Sequence, residues 1–510
     1  MNELDDSQNL LSKEHGKEDV QIEAPRAAFS RQDALASLRD LDPAYPEPDE
    51  CRILAAPENN HLLEYVTSDA FTHVFPGDRT LDGPEEFFAD LDAELRAAGS
   101  LHLWPYLPLC AYRCHYCQFP LLIVNPGTER AATSARRWVD ANIAEARLWL
   151  DAVPALREVP VREFCLFGGT PTVFPLSEIE RLMDFYADNF LFDPAVTSLR
   201  AEGSPDTLDE EMIIGLRRLG FDKLTYGIQT FDDDLLALAN RRHTGQQAED
   251  ALRFARKHGF ARVDADLVWG LPGQDVDAYL SDVRRMIDLD FSTVVMTKLH
   301  LRSFASVDTA IGHVSAAVWE SVEVRERIAA SGRSWPMLGR QYQMRAGAVQ
   351  ALNAAGYAEH PTTYFPQKEI GAPIWRSLNL DQDKQVPNLG IGLGGYTWSS
   401  HSEGNITSDP REYLDAVSAG RLPLTAITAL SEPGRETRSV RMAMSTCQPL
   451  REEIHQKRFP GSSLFSERWL PVFERLRDRG LAEIDRAAGE IRLTTPGQSL
   501  VEAIINTEIK

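Results

Sequence analysis

Between residues 101 and 305 the chain alternates short apolar or β-branched runs with longer amphipathic ones, a rhythm that leaves few folds open. The short runs, "LHLWPYL", "REFCLFG", "SLRAEGS", "KLTYGIQT", "RVDADLVWG" and "TVVMTKLHL", read as strands. Between them, stretches such as "SEIERLMDFYADNF" and "DEEMIIGLRRLG" set apolar residues three and four apart behind a Ser or Asp suited to cap a helix. Consecutive βα units of this kind surround a parallel sheet. Six of them predict an α/β fold built on a partial, TIM-like (β/α)6 barrel. In such barrels chemistry collects where strands end and loops begin, and the polar and glycine-rich residues of this chain fall at those ends.

The remainder divides around the barrel. Residues 1–30 are polar and mixed in charge and read as a flexible leader without the cationic start and apolar block of a secretory signal. Residues 31–100 form an N-terminal extension with two predicted helices, "RQDALASLRDL" and "GPEEFFADLDAELRAAG", and a stretch, "LEYVTSDAFTHVFPGD", expected to lie across the barrel. Residues 306–430 make an α+β substrate-side domain whose helix "QYQMRAGAVQALNAAGY" is closed by Gly356. Residues 431–510 follow helix, short β-ribbon, helix, a winged-helix-like order. No run of about 18 apolar residues appears, so no membrane span is expected. A cytoplasmic location is.

Lys and Arg number 53 against 76 Asp and Glu, a net charge of −23 that repels nucleic-acid phosphates and anionic lipid unless a local basic patch overrides it. Neither nucleic acid nor a membrane is an expected partner, and the winged-helix-like tail, rich in acids, reads as a packing or lid element. Cys51, Cys165 and Cys447 lie far apart, which argues against a disulfide framework. Cys110, Cys114 and Cys117 do not: C-x3-C-x2-C stands in a loop directly after the first strand. Zinc takes four ligands from paired knuckles, and no second C-x2-C or H-x3-H pair exists here. His115 lies too close to its neighbours for easy use beside them. Three thiolates in one loop suit a [4Fe-4S] cluster with one iron left open to a small molecule.

This loop, with an aromatic before its third cysteine, resembles that of the radical S-adenosylmethionine (SAM) superfamily. The segments "CLFGGTPT", "AEGSPDTL", "LTYGIQTF", "LANRRHTGQQ" and "DADLVWGLPGQ", in this order after successive strands, resemble the branch that includes oxygen-independent coproporphyrinogen III oxidases, haem chaperones, and class C radical methyltransferases and cyclopropanases. The likeness runs from about residue 60 to the C-terminus and is tightest in the barrel. It implies that Cys110, Cys114 and Cys117 hold the cluster, that the open iron chelates SAM, and that one electron from a reductant such as flavodoxin or ferredoxin cleaves SAM to a 5′-deoxyadenosyl radical. It further implies that Gly168 and Gly169 admit the methionine amino group, that Glu202, Gln229, Arg241 and Asp266 bind ribose, amine and carboxylate, and that Tyr116 packs beside adenine. Thr170 would flank a second SAM. Taken singly, each of these residues is ordinary: "GGTP" alone is a turn, and an acid at a strand end is common.

Three departures narrow the branch. Where the coproporphyrinogen oxidases carry a further cysteine and a histidine, this chain has Phe119 and Tyr106. Where the haem chaperones carry an iron-binding histidine, "PIWRSLNLDQD" has Leu378, which offers no lone pair, followed by Asn379, with Gln382 and Asp383 in place of an aromatic pair. The segment "NLGIGLGGYTW" matches the branch's glycine loop, implying that Gly392 and Gly394 approach a second SAM. Trp104, Tyr106, Tyr396 and Trp398 would line a flat substrate, with Tyr106 and Tyr396 as the catalytic candidates. The resulting expectation is methyl or methylene transfer, or cyclopropanation, onto an unsaturated or aromatic small molecule. A porphyrin enzyme and a non-catalytic haem or cluster carrier are the alternatives.

Overall fold

A computed structural model describes residues 31–68, 77–117, 119–299, 326, 328–369 and 386–510. All six expected strands are present: β1 (Leu101–Leu107), β2 (Val161–Gly168), β3 (Ser198–Gly203), β4 (Lys223–Gln229), β5 (Arg262–Trp269) and β6 (Thr293–Lys298). Each pairs in parallel with the next. The crossovers are α1 (Glu129–Ala152), α2 (Leu176–Asn189), α3 (Glu210–Arg218), α4 (Asp233–Leu238), α5 (Gly245–Lys257) and α6 (Val276–Asp288). Their starts are fixed by side-chain caps: Asp209 accepts from the Met212 amide and Asp275 from that of Ala278, while Thr244 and Gln247 close a reciprocal capping box.

The sheet does not stop with the barrel. β7 (Tyr364–Pro366) adds antiparallel to β6, and β8 (Asn388–Ile391) adds parallel to β1 at the opposite edge. From β8 the sheet continues antiparallel through β9 (Tyr396–Trp398), β10 (Ser402–Ile406), β11 (Leu424–Ala429) and the short strand Arg79–Thr80, twelve strands among the described residues. The helix behind the barrel, α7 (Leu338–Ala354), ends before Gly356, whose φ of 90° suits a residue without Cβ.

The segment "LEYVTSDAFTHVFPGD" was expected across the barrel; its first part is instead the end of a helix, Asn60–Ser68, and residues 69–76 lie outside the described ones. Leu62 and Leu63 of that helix, with Ala34 and Leu38, share an apolar cluster with Trp469, Phe473 and Ile504. The N-terminal helices are therefore packed on the C-terminal segment. That segment is a three-stranded sheet flanked by helices Leu470–Asp478 and Val501–Thr507, the winged-helix-like order. Residues 1–30 and the segment containing Leu378, Asn379, Gln382 and Asp383 lie outside the described residues. Among the described residues no helix is long and apolar enough to cross a membrane.

Side chains two apart on a strand share a face, so Glu163 with Cys165, Arg200 with Glu202, and Asp264 with Asp266 form aligned rows. These rows are charged and mostly buried: Arg200 stands 3.7 Å from Glu163 and 3.2 Å from Glu202, and His102 3.6 Å from Glu163. Buried charges persist only where they answer one another. The polar rows end at the mouth where the cysteine loop lies.

Candidate active site

The cysteine loop is stapled at both ends. Leu109–Cys110 pairs in parallel with Leu122–Ile123, the Leu122 amide donates to the Pro108 carbonyl at 2.8 Å, and the Val124 amide to that of Cys110 at 2.9 Å. Within the loop the Cys117 amide closes a turn on the Cys114 carbonyl at 3.1 Å. The loop then docks on the end of α4: the His115 amide donates to the Ala239 carbonyl, a His115 ring nitrogen bonds the Leu238 carbonyl at 2.9 Å, and Asn240 donates to the Arg113 carbonyl at 2.7 Å. His115 thus anchors the loop. Tyr116 bridges two apolar groups, Leu235, Leu238 and Ala239 on one side and Val268, Leu271 and Leu299 on the other.

The "GGT" turn after β2 is sewn to the strand that carries Cys110. The Gly169 amide donates to the Leu107 carbonyl and the Thr170 amide to that of Leu109, both at 2.8 Å. A Cβ on Gly168 would stand 2.6 Å from the Leu107 oxygen, and one on Gly169 2.5 Å from that of Leu109. Two backbones approach so closely that only glycine fits. The Thr170 hydroxyl lies 3.2 Å from the Cys110 sulfur.

From the other side Arg241 reaches the Cys114 sulfur at 3.5 Å, the Ser204 hydroxyl at 3.0 Å and the Gly227 carbonyl at 2.5 Å. Its Nε donates to Nδ1 of His243 at 3.3 Å, while the other ring nitrogen of His243 bonds the Ile228 carbonyl. Burial, then the Arg241 charge, push the His243 pKa down to about 3. The imidazole is neutral and serves as an acceptor for the guanidinium. Gln229 closes β4 at φ 71°, a left-handed conformation rare for a residue with a side chain, and the β4–β5 register shifts beside it. Backbone strain of this kind clusters at sites that hold ligands. Burial raises Glu202, and burial together with the Glu202 charge pushes Asp266 up to about 7.

A second set of expected residues gathers around the glycine loop. Tyr106 is buried, its hydroxyl donates to the Pro120 carbonyl at 2.6 Å, and its ring meets Phe167 edge-on at 5.2 Å and Phe119 at 6.5 Å. A Cβ on Gly392 would stand 2.4 Å from the Tyr106 carbonyl oxygen, and one on Gly394 2.9 Å from Pro120. The loop therefore packs against β1 and the end of the cysteine loop. Tyr396 donates to Glu403 at 2.5 Å and packs with Trp398 and Met442.

Sequence reasoning missed the clamp beneath this loop. On α1, Glu145 accepts from the Gly392 amide at 2.8 Å, the Tyr413 hydroxyl at 2.7 Å and the Trp149 indole at 3.0 Å. Asn142 donates to the Ile391 carbonyl at 3.3 Å and the Tyr106 carbonyl at 3.5 Å and accepts from Tyr186 at 2.7 Å. The signal that could have found them is a polar pair, three apart, inside the apolar face formed by Trp138, Val139, Ala146 and Trp149.

Residues 104–286 match the family model of the Radical SAM superfamily. That segment carries a radical SAM domain. It is 25% identical over 434 residues to the oxygen-independent coproporphyrinogen III oxidase of Pseudomonas aeruginosa, covering 83% of this chain and 88% of the relative. It is 27% identical over 322 residues to the heme chaperone HemW of Bacillus subtilis, covering 62% and 76%. The solved structure of the radical SAM coproporphyrinogen III oxidase HemN of Escherichia coli superposes with a TM-score of 0.68 at 20% identity, over 85% of this chain and 95% of the other. The chain is a radical SAM enzyme, with a [4Fe-4S] cluster and SAM as cofactors. The donor set fits them: three thiols come from one stapled loop, the Cys110 thiol beside the Thr170 hydroxyl and the Cys114 thiol beside Arg241. Neither the family match nor these relatives favour methyl transfer over porphyrin chemistry. The expectation of a methyltransferase or cyclopropanase is thereby weakened in favour of the coproporphyrinogen oxidase alternative.

Proposed function

We propose that this protein is a radical SAM enzyme of the oxygen-independent coproporphyrinogen oxidase type, oxidising a porphyrinogen-like small molecule. The observation that carries this reading is the reach of the relationship: it spans 88% of the Pseudomonas aeruginosa oxidase, far beyond the barrel shared by the whole superfamily. When bound, the cluster and SAM supply a one-electron reductive cleavage that leads to hydrogen-atom removal without oxygen. The chain's own residues do the rest. Cys110, Cys114 and Cys117 hold the cluster; Arg241 offers its charge to the SAM carboxylate, Glu202 accepts from the amine, and Gln229 and Asp266 bind the ribose. Tyr116 and its aliphatic neighbours shield that mouth from water. Tyr106 holds the loop through Pro120 and walls the substrate side with Phe119.

A second reading, transfer of a methyl or methylene group from a second SAM near Thr170, Gly392 and Gly394, is favoured by one observation. The two departures from the oxidases, Tyr106 and Phe119, are ring neighbours, so one local patch of the substrate side has changed. Anaerobic incubation of the reconstituted, reduced protein with SAM and coproporphyrinogen III tests both. Formation of 5′-deoxyadenosine with consumption of the porphyrinogen is expected. Without 5′-deoxyadenosine in any condition, both readings fail; with it, but with deuterium carried in from methyl-deuterated SAM and no porphyrinogen consumed, the second replaces the first.

A further inference from the structure

The turn after β4 has two consequences for the mouth, and one of its anchors lies in another layer. Gln229 ends the strand in the left-handed region, and Asp232 then caps α4 by accepting from the amides of Asp234 and Leu235 at 3.0 and 3.1 Å. A Cβ on Gly227 would stand 2.2 Å from Nε2 of Gln229, so the Gln229 amide lies against Gly227, where Arg241 also reaches. Helix α4 leads in turn to the carbonyls of Leu238 and Ala239 that dock the cysteine loop. The course of the turn therefore bears both on a residue of the proposed SAM site and on the support of the cluster loop.

A side chain in the left-handed region persists only where its surroundings over-determine it. On the strand side, Arg241 and His243 take the carbonyls of Gly227 and Ile228. Beyond the strand, the Asp232 amide donates to the Thr230 hydroxyl at 3.1 Å, and Asp233 accepts from the Gly245 amide at 2.8 Å. The Phe231 amide is held from outside: Asp282 of α6 accepts it at 3.0 Å. Asp282 is buried on the inward face of α6 with Tyr279, Val283 and Met286. Burial pushes its pKa up to about 6 and the Asp232 charge adds to the rise, while the Thr230 hydroxyl and the Phe231 amide oppose it. Arg285 opposes it too, but that guanidinium is paired with Glu249 and lies over the Phe231 ring at 5.2 Å. A carboxyl in an apolar helix face costs free energy unless it answers a polar partner, and here the partners belong to this turn.

We infer that Asp282 is a positioning residue for SAM binding: by accepting the Phe231 amide it fixes the turn after β4, and with it the direction in which Gln229 presents its side chain. This role rests on the placement of Gln229 in the SAM site and not on which substrate is oxidised.

The test reconstitutes the full chain with its cluster and measures SAM binding by calorimetry, iron per folded chain, and urea unfolding of the metal-free protein. Asp282→Ala removes the acceptor and should weaken SAM about 10-fold, the worth of one buried hydrogen bond, at unchanged iron. Asp282→Asn keeps an accepting oxygen at the same place and should bind SAM within about 2-fold of the parent. Gln229→Ala removes the side chain being aimed and should weaken SAM about as much as Asp282→Ala, and the double variant should bind no worse than the weaker single one, since coupled residues are not additive. If Asp282→Ala does not fold, Asp282→Ser takes its place, because its shorter side chain leaves the oxygen short of the amide. Lowered stability with parent-like SAM affinity, a parallel loss of iron, an Asn variant as weak as the Ala variant, or additive effects in the double variant would overturn the inference. Parent-like affinity in Gln229→Ala would instead remove Gln229 from the SAM site and the inference with it, whereas parent-like affinity in Asp282→Ala alone leaves that placement standing.

Discussion

The mouth of the barrel and the glycine-loop side lie on either flank of β1, yet they are built on opposite terms. At the mouth, Cys114, Cys117, Glu202 and Asp266 are only partly buried, and Arg241 spreads its donors over a sulfur, a hydroxyl and a carbonyl. Under the glycine loop, Asn142, Glu145 and Tyr413 are fully buried and each ends in direct hydrogen bonds. One region leaves polar groups partly open, as the proposed SAM site requires; the other is a closed scaffold. Cys114→Ala attacks the first and should have the largest effect: loss of bound iron, of the brown absorbance near roughly 400 nm expected of thiolate-to-iron transitions, and of all 5′-deoxyadenosine formation, with an unfolding temperature for the metal-free protein close to that of the metal-free parent. A variant with full iron and colour would show that the ligands are misassigned.

Glu145→Ala attacks the second region and should invert the pattern. It leaves the Gly392 amide, the Tyr413 hydroxyl and the Trp149 indole without their acceptor in a buried place, which costs about 3–5 kcal/mol in total. Urea unfolding should report that loss while the iron content per folded chain stays at the parent level. Equal loss of iron would mean that the two regions are one cooperative unit and that the comparison fails.

How far each region was legible follows from the same contrast. The six barrel strands and the mouth residues could be read because each motif is local: cysteines within one loop, acids at strand ends, a glycine pair at a turn. Parallel strands covered on both faces also declare themselves as apolar runs. The scaffold could not be read, since its partners are remote in sequence. β8 enters the sheet beside β1, Glu145 meets Gly392 and Tyr413, and Arg438 meets Glu403. The two-residue ladder Leu109–Cys110 with Leu122–Ile123 is too short to carry a period. Tyr396 was legible as an aromatic near a glycine loop, but its bond to Glu403 was not. The helix Asn60–Ser68 was not legible, since the core its apolar face completes, with Trp469, Phe473 and Ile504, lies about 400 residues away in sequence.

Asp266→Asn sharpens what it means to leave a polar group partly open. The folded carboxyl titrates near 7, against about 3.9 in an unfolded chain. The folded protein therefore binds the extra proton between these values, so the wild type loses stability as pH rises from about 4 to 7, and the full penalty stands above 7. The asparagine variant escapes it. Since the group is partly open to solvent, the gain should be about 1–2 kcal/mol at pH 8 and near zero at pH 4. Thermal unfolding of the metal-free protein across that range measures it. SAM affinity should move the other way, weakening about 10-fold for a lost buried hydrogen bond to a charged group. A variant that binds SAM as the parent does would remove Asp266 from the ribose site.

Tyr106→Phe should have the smallest effect and is the sharpest probe of the boundary, because this residue belongs to both regions. Its hydroxyl donates to Pro120 at the end of the cysteine loop, while its carbonyl receives Asn142 and lies where a Cβ on Gly392 would stand. The substitution removes the first link and keeps the ring, the carbonyl and the packing against Phe167. It leaves the Pro120 carbonyl without this donor, at a cost of about 1–2 kcal/mol. If the loop is held mainly by its own ladder and by α4, iron content and SAM affinity stay within about 2-fold of the parent, a change smaller than one hydrogen bond's worth. If instead the Tyr106 hydroxyl sets the height of the loop over the substrate, turnover falls while iron and SAM binding do not. That split would assign Tyr106 a positioning role that reaches from the scaffold into the mouth, whereas a parallel fall in all three would make it a structural pillar of the loop.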